Sequence, residues 1–371
     1  MPEPKGANSS TEPVSQRTVS RPAQNYMIRW LRIALYIIFG ICGQTAASLL
    51  TRLYYEKGGT SKWVGTLIQV AGFPILLPYY FISRRKVMST PNSTTAAVKT
   101  KPSSLLLLGC VYVYLGLLMA GNGYLFTVGF EYLPISTVAL ISASQLVFNA
   151  FFSYFLNSQK FTPFIINSLV ILTISSVLLV ANNSSERPPG VSNGKYVLGF
   201  ICTIFATAMN GLSIASQQLA FRKVLKSQSI KVVMDLAIYQ SLVASIAISI
   251  GFLASGEWKG LKIEMEGYAL GNTSYVMTLL WTAIAWQVCI FCAVALVFEL
   301  SALFANVIGA LTLPITPIAA IIVFHDKMNG IKGISMVLTI WGFLSYVYQL
   351  YLDDRELKNA ETKNRSEVSE A

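Results

Sequence analysis

Lysine and arginine are absent from residues 33–51, 63–83, 102–159, 196–221, 232–258, 263–326 and 333–354. Each is at least as long as the roughly 20 apolar residues that an α-helix needs to cross a bilayer, and several are long enough for two crossings. Charged residues make up only 12% of the chain and hydrophobic ones 54%, against about 25% charged in a soluble globular chain. The pattern specifies an all-α polytopic membrane protein, because a lipid-embedded backbone must pair its own amides and carbonyls. The net charge of +11 sits in loops and tails, where it sets topology rather than nucleic-acid binding.

The apolar segments divide into ten expected spans. They run over residues 30–50, 63–82, 104–129, the apolar part of 134–163, then to about 181, and over 196–221, 232–254, 275–298, 303–324 and 333–352. The second span carries Pro74 and Pro78, which remove backbone donors and bend a helix. Residues 1–25 and 354–371 read as polar tails, the first of them disordered. No short apolar core with a cleavage site opens the chain, so no removable signal peptide is expected. All five cysteines fall inside spans. Cys289 and Cys292 form a CxxC without further ligands nearby, which fits small packing residues better than a metal or redox pair.

With the N-terminus inside, cytoplasmic segments hold 19 of the 28 lysines and arginines and outside loops hold 9. The positive-inside rule therefore places both termini in the cytoplasm. An internal repeat is also visible. Glu131 to Lys160 and Glu299 to Lys327 each enclose a tight break, a span with polar residues and a short loop. The pattern Gln44-x4-Leu49-x2-Arg52 returns at Ile214-x4-Leu219-x2-Arg222, offset by about the same length. Two five-span halves follow, residues 26–181 and 196–353, joined by an outside loop at 182–195. An odd number of spans inverts the second half relative to the first, an arrangement of transporters with a midplane site.

The spans contain amides and aromatics where an enzyme would need nucleophiles, bases or metal ligands. There is one histidine and no cluster that could hold a metal or a cofactor. Apart from Arg32 at the very start of the first, no lysine or arginine lies within a span, which disfavours phosphorylated or carboxylate cargo. In the fourth span Ser142, Gln145, Asn149 and Ser153 recur three and four residues apart, so they share one helix face. An amide facing lipid costs several kcal/mol, so this face meets either a polar site or another helix, where amides act as glue. The substrate-site residues expected are Gln44, Trp63, Gln69, Asn122, Gln145, Asn149, Trp286 and Gln287. Paired donors and acceptors with aromatic faces suit a flat, neutral, nitrogen-rich heterocycle.

The chain resembles the plant purine permease family of the drug/metabolite transporter superfamily. The resemblance rests on Gly58-Gly59 with Trp63, Ala71-Gly72-Phe73-Pro74, Tyr132-Leu133-Pro134-Ile135-Ser136-Thr137 and Ser144-Gln145-Leu146-x-Phe148-Asn149-Ala150. It continues through Asn157-Ser158-Gln159-Lys160-Phe161-Thr162-Pro163, Gln218-Leu219-Ala220-Phe221, Phe298-Glu299, Leu303-Phe304-x-Asn306 and His325-Asp326-Lys327-Met328. It implies ten helices and proton-coupled uptake of nucleobases, cytokinins and related alkaloids. Import of alkaloids or pyridoxine-like compounds, or a membrane receptor that binds without transporting, are the alternatives. Proton coupling needs a group that changes charge, and Glu299 is the expected one; its alternative role is to complement the N-terminal end of the ninth helix. The expected partners are the heterocycle, a proton and the lipid bilayer, with the plasma membrane as the expected location.

The topology has a direct check. Tags inserted at Ser184 and Asn272 should be labelled from outside intact cells, and a tag at Asn92 should not. The reverse pattern would overturn the orientation.

Overall fold

The computed structural model describes residues 20–78, 80, 105–133, 138, 141–142, 144–159, 161–181, 192–225, 230–324 and 330–370. Among the described residues every regular element is helical. The first half comprises α1 (Ser20–Glu56), α2 (Lys62–Val70) with a 3-10 turn at Phe73–Leu76, α3 (Leu105–Tyr132), α4 (Gln145–Asn157) and α5 (Pro163–Ala181). The second comprises α6 (Asn193–Lys223), α7 (Ile230–Ser255), a 3-10 turn at Glu257–Gly260, the short α8 (Leu261–Glu266), α9 (Asn272–Glu299), α10 (Ala302–Phe324) and α11 (Gly330–Glu370). Helix α1 begins inside the segment expected to be a tail, and α11 continues through the charged residues after 353. His325, Asp326 and the sequons at Asn92 and Asn183 lie outside the described residues.

Among the described residues, five helical stretches are long and apolar enough to cross a membrane: Met27–Glu56, Leu106–Gly129, Asn193–Lys223, Ile230–Ser255 and Asn272–Glu299. Shorter apolar helices lie at Lys62–Leu76, Pro163–Ser175 and Ala302–Thr312. Large apolar side chains such as Ile246, Ile250 and Leu253 of α7 and Phe151 and Phe155 of α4 are exposed on the outer surface. In water such a surface would aggregate; in a bilayer it is the lipid-facing wall. The chain is an integral, polytopic helical membrane protein.

Two long seams organise the bundle. Along one, α1 packs on α9; along the other, α3 packs on α6. Helix α5 lies against α11, α3 also against α7, α4 on α6, and α2 between α7 and α9. Small residues let the backbones approach. A Cβ added at Gly40 would lie 3.3 Å from Cys292 Cβ, and one at Gly43 would lie 3.2 Å from the Cys289 nitrogen. The CxxC therefore faces two glycines across the α1–α9 seam, and both thiols are free.

Two helices break where the sequence is polar or rich in proline. Helix α2 ends at Val70, and the chain turns through Gly72 into the 3-10 segment with Pro74 in its first turn. At Ser144 the backbone N–H donates to the Ile141 carbonyl at 3.0 Å and the hydroxyl to the same oxygen at 2.6 Å. The fourth span is therefore interrupted one residue before Gln145 rather than running as one continuous helix.

Gly72 marks the tightest approach of α2 to α9. A Cβ there would clash with the Ala283 carbonyl and lie 2.8 Å from Gln287 Cβ. We expect Gly72→Val to cost about 1–3 kcal/mol from overpacking, read as a lower midpoint of thermal unfolding in detergent. Gly109, with nothing within 4 Å of its added Cβ, should accept alanine without loss. Equal stability of the two variants would show that the break at Gly72 is not a close contact.

Candidate functional site

The polar stripe on α4 forms a single face, as its spacing requires. Asn149 is 0% exposed, and Ser153 and Asn157 are buried beside it, while Phe151 and Phe155 face outward. Each amide reaches another helix. Gln145 Nε2 donates to Asn306 Oδ1 of α10 at 2.8 Å, and Asn306 Nδ2 returns a bond to the Gln145 carbonyl at 3.4 Å. Asn149 Nδ2 donates to the Ala302 carbonyl at 3.1 Å, and Ser153 Oγ donates to Asn149 Oδ1 at 3.4 Å. Asn157 Nδ2 donates to the Ala215 carbonyl of α6 at 2.9 Å. In this conformation the stripe binds α4 to α10 and α6.

Other amides are buried without such partners. Gln287 on α9 is 0% exposed, and neither its Oε1 nor its Nε2 has a hydrogen-bond partner among the described residues. It sits at the α2–α9 contact, beside Gly72. Asn122 on α3 has a buried Oδ1 that is likewise unpaired. The neighbouring Gly123 presses toward Thr66 of α2, whose hydroxyl lies 2.8 Å from that of Thr127 on α3. Trp63 lies at the same α2–α3 seam, its ring 4.9 Å from that of Tyr124, with its far edge against Gly251 of α7. The structure thus brings Trp63 and Asn122 to one seam of α2 and Gln287 to another. Gln69 Nε2 turns back to the Gly65 carbonyl at 3.2 Å. Trp286 Nε1 donates to Thr51 Oγ1 at 3.5 Å across α1–α9, and Gln44 lies half-buried on α1.

Glu299, at the C-terminal end of α9, has a side chain 9% exposed. Arg29 Nε lies 3.3 Å from its Oε2 and Arg32 Nη2 lies 3.3 Å from its Oε1, while Arg29 Nη2 donates to its backbone carbonyl at 2.8 Å. Gln218 Oε1 accepts from Ala302 N at 3.0 Å, and Ser301 Oγ accepts from Phe304 N at 3.1 Å. Beside the ion pair is a cavity of about 240 Å³ whose lining includes Gln159, Gln218, Ser301 and Gln349.

A sequence profile of the family described as purine nucleobase transmembrane transport matches residues 31–356. The chain belongs to the purine permease family. It is 54% identical over 344 residues to "Probable purine permease 10" of Arabidopsis thaliana, covering 93% of this chain and 86% of that one. It is 55% identical over 332 residues to "Purine permease 21" of the same plant, covering 90% and 84%. A crystal structure of a protein only 12% identical superposes with a TM-score of 0.59 over 85% of this chain and 96% of the other; that likeness concerns fold alone. The purine permeases are transporters, not enzymes.

In this purine permease the sequence reading passed over a second carboxylate. Glu264 of α8 is 9% exposed and accepts from Thr60 Oγ1 at 3.1 Å, Ser61 N at 2.9 Å, Tyr275 Oη at 3.0 Å and Tyr54 Oη. It lies in a loop rich in lysine and glutamate that reads as solvated. The only local signal is its position in Leu261-Lys262-Ile263-Glu264-Met265-Glu266, where apolar and charged residues alternate. Arg29 and Arg32, assigned to the tail, and Asn306 were likewise not placed at a site.

The α4 bonds give a specific expectation. Asn149→Ala removes the buried bond to the Ala302 carbonyl, at about 0.5–1.5 kcal/mol. It should lower the thermal midpoint of the purified protein, whereas Phe151→Leu on the opposite face should leave it nearly unchanged. A stable Asn149→Ala protein with impaired substrate binding would instead place this amide on the ligand.

Proposed function

We propose that this chain is a secondary active transporter that imports neutral nitrogen heterocycles, purine nucleobases and cytokinins among them, coupled to protons. Membership of the purine permease family supports the nucleobase class. The observation that carries the reading is Gln287, a fully buried amide whose donor and acceptor are both unpaired among the described residues. Such a group costs about 1–3 kcal/mol unless something pairs with it. A nucleobase edge offers the matching donor and acceptor. Asn122 and Trp63 are assigned a second polar contact and an aromatic face, and Gln44, Gln69 and Trp286 complete the proposed set of substrate contacts. Gln145 and Asn149 form the wall behind, fastening α4 to α10.

We further propose that the ten helices form two inverted five-helix repeats. The packing supports this. Advancing every spanning helix by five places exchanges the α1–α9 seam with the α3–α6 seam, α2–α9 with α3–α7, and α1–α10 with α4–α6. The pairs α5–α11, α2–α7 and α4–α10 map onto themselves. Gln287 and Asn122 then lie on exchanged helices, as a midplane site between repeats requires. The lysine and arginine bias supports cytoplasmic termini, with the Arg29 end facing the cytoplasm and the Tyr54 end facing outside. We further propose the plasma membrane as the location, where an importer of external heterocycles would act.

Coupling is assigned to Glu299, the carboxylate at the cytoplasmic end of the α1–α9 seam, which would exchange its arginine partners for a proton during the cycle. Two variants separate binding from coupling. Gln287→Ala should raise the KM for adenine uptake about 10- to 100-fold, the loss of one well-placed buried hydrogen bond, with abundance in the membrane unchanged. Glu299→Gln should abolish accumulation against a gradient while leaving exchange of labelled for unlabelled substrate. An unchanged KM in the first variant would remove Gln287 from the site, and concentrative uptake by the second would remove Glu299 from coupling.

A further inference from the structure

The cavity beside the Glu299 ion pair has a polar wall that the Gln287 site does not use. Its volume is about 240 Å³, and four segments meet around it. Gln159 comes from the turn after α4, Gln218 from α6, Ser301 from the break between α9 and α10, and Tyr346 from α11. Leu300 adds apolar surface. Glu299 follows Gln287 by 12 residues along α9, a rise of about 18 Å. One small heterocycle cannot reach both places.

The polar groups of this wall are fixed in place and still short of partners. Gln218 is only 9% exposed, and its Oε1 accepts from Ala302 N. A backbone N–H needs an oxygen opposite it, so the amide is held in one sense. Its Nε2 is left with no hydrogen-bond partner among the described residues. Ser301 Oγ accepts from Phe304 N and keeps its own hydrogen to donate. The chain leaves α4 through Ser158 at φ 51°, and Gln159 N donates to the Ser153 carbonyl at 3.3 Å. That turn anchors the backbone of Gln159, whose side-chain amide makes no hydrogen bond among the described residues. Arg29 is already engaged by Glu299, so the charged part of the wall is closed on itself.

We propose that this cavity is a second binding site for a neutral, nucleobase-like heterocycle, separate from the site at Gln287. A concave pocket with a few convergent polar groups is what binds small molecules. Its volume falls below the roughly 300–1,000 Å³ of drug-sized sites, which suits a flat one- or two-ring base. A wall whose charges pair with each other favours an uncharged ligand. Ring nitrogens or carbonyls accept from Gln218 Nε2 and Ser301 Oγ, and a ring or exocyclic N–H donates to Gln159 Oε1. On the orientation proposed above, this is the side on which cargo is released. The inference rests on the nucleobase reading of the preceding subsection and adds a second place where that cargo binds.

The test is photolabelling of the purified full-length protein with azidoadenine below saturation, with and without excess adenine. The labelled peptides are located by mass spectrometry. Adenine-protected label should appear on the peptides that carry Gln159, Gln218 or Ser301, beside any near Gln287. Gln159→Leu keeps the bulk and breaks no hydrogen bond among the described residues, so the thermal midpoint should hold. Label at this end should nevertheless fall about 3- to 10-fold, the loss of one hydrogen bond. Gln287→Ala should leave label at this end unchanged. Protected label confined to the peptides around Gln287 would mean that the cavity holds only water. Label at this end that ignores Gln159→Leu would place the ligand elsewhere. Either result overturns the second site and leaves the nucleobase reading standing. No adenine-protected label anywhere would remove that reading, and this site with it.

Discussion

Hydrocarbon cannot accept or donate a hydrogen bond, and every polar group in this bundle has to answer to that fact. The lipid-facing wall is built from Ile246, Ile250, Leu253, Phe151 and Phe155. Polar side chains are driven inward, where most find a fixed partner. Asn149 takes the Ala302 carbonyl, Gln145 takes Asn306, Asn157 takes the Ala215 carbonyl, and Gln218 takes the first amide of α10. These bonds are stronger constraints on helix placement than apolar packing, because lipid tails compete with apolar side chains but not with hydrogen bonds. Gln287 and the Asn122 carbonyl oxygen are among the buried groups that have no partner among the described residues, as are the Ser241 and Ser245 hydroxyls. A folded chain tolerates that cost where a ligand supplies the missing bond.

The two ends of the α1–α9 seam are fastened in chemically different ways. At one end a carboxylate meets two guanidinium groups, and at the other a carboxylate meets hydroxyls and a backbone amide. The first contact is strong only while Glu299 is charged and Arg29 and Arg32 remain in reach. The second is a cage of neutral dipoles around Glu264. Between them the glycines of α1 lie against the cysteines of α9, so the pair packs closely along its length.

The class of fold was legible from the long stretches without lysine or arginine, since no soluble core needs such runs. The cysteine pair was also legible as packing, because a CxxC within a helix has no room for further ligands. The break before Gln145 was not foreseen; a serine that folds back on the carbonyl three residues earlier leaves no trace in hydropathy. The amide stripe was found by spacing, yet spacing cannot distinguish an amide that meets a ligand from one that meets a carbonyl. Only the positions of Ala302 and Asn306 on another helix bear on that difference. Glu264 was missed for a similar reason. A charged loop reads as solvated unless the chain folds it under a neighbouring corner, and the donors at Tyr54, Thr60 and Ser61 are about 200 residues away in sequence.

The central claim is that this bundle moves a neutral heterocycle across the membrane against its gradient. The most direct measurement uses purified protein in liposomes with an inwardly directed pH gradient and radiolabelled adenine outside. Transport coupled to protons predicts internal adenine rising above the external concentration and falling back when a protonophore is added. Binding that saturates with the amount of protein, with no internal accumulation under the gradient, would contradict it and make the protein a receptor.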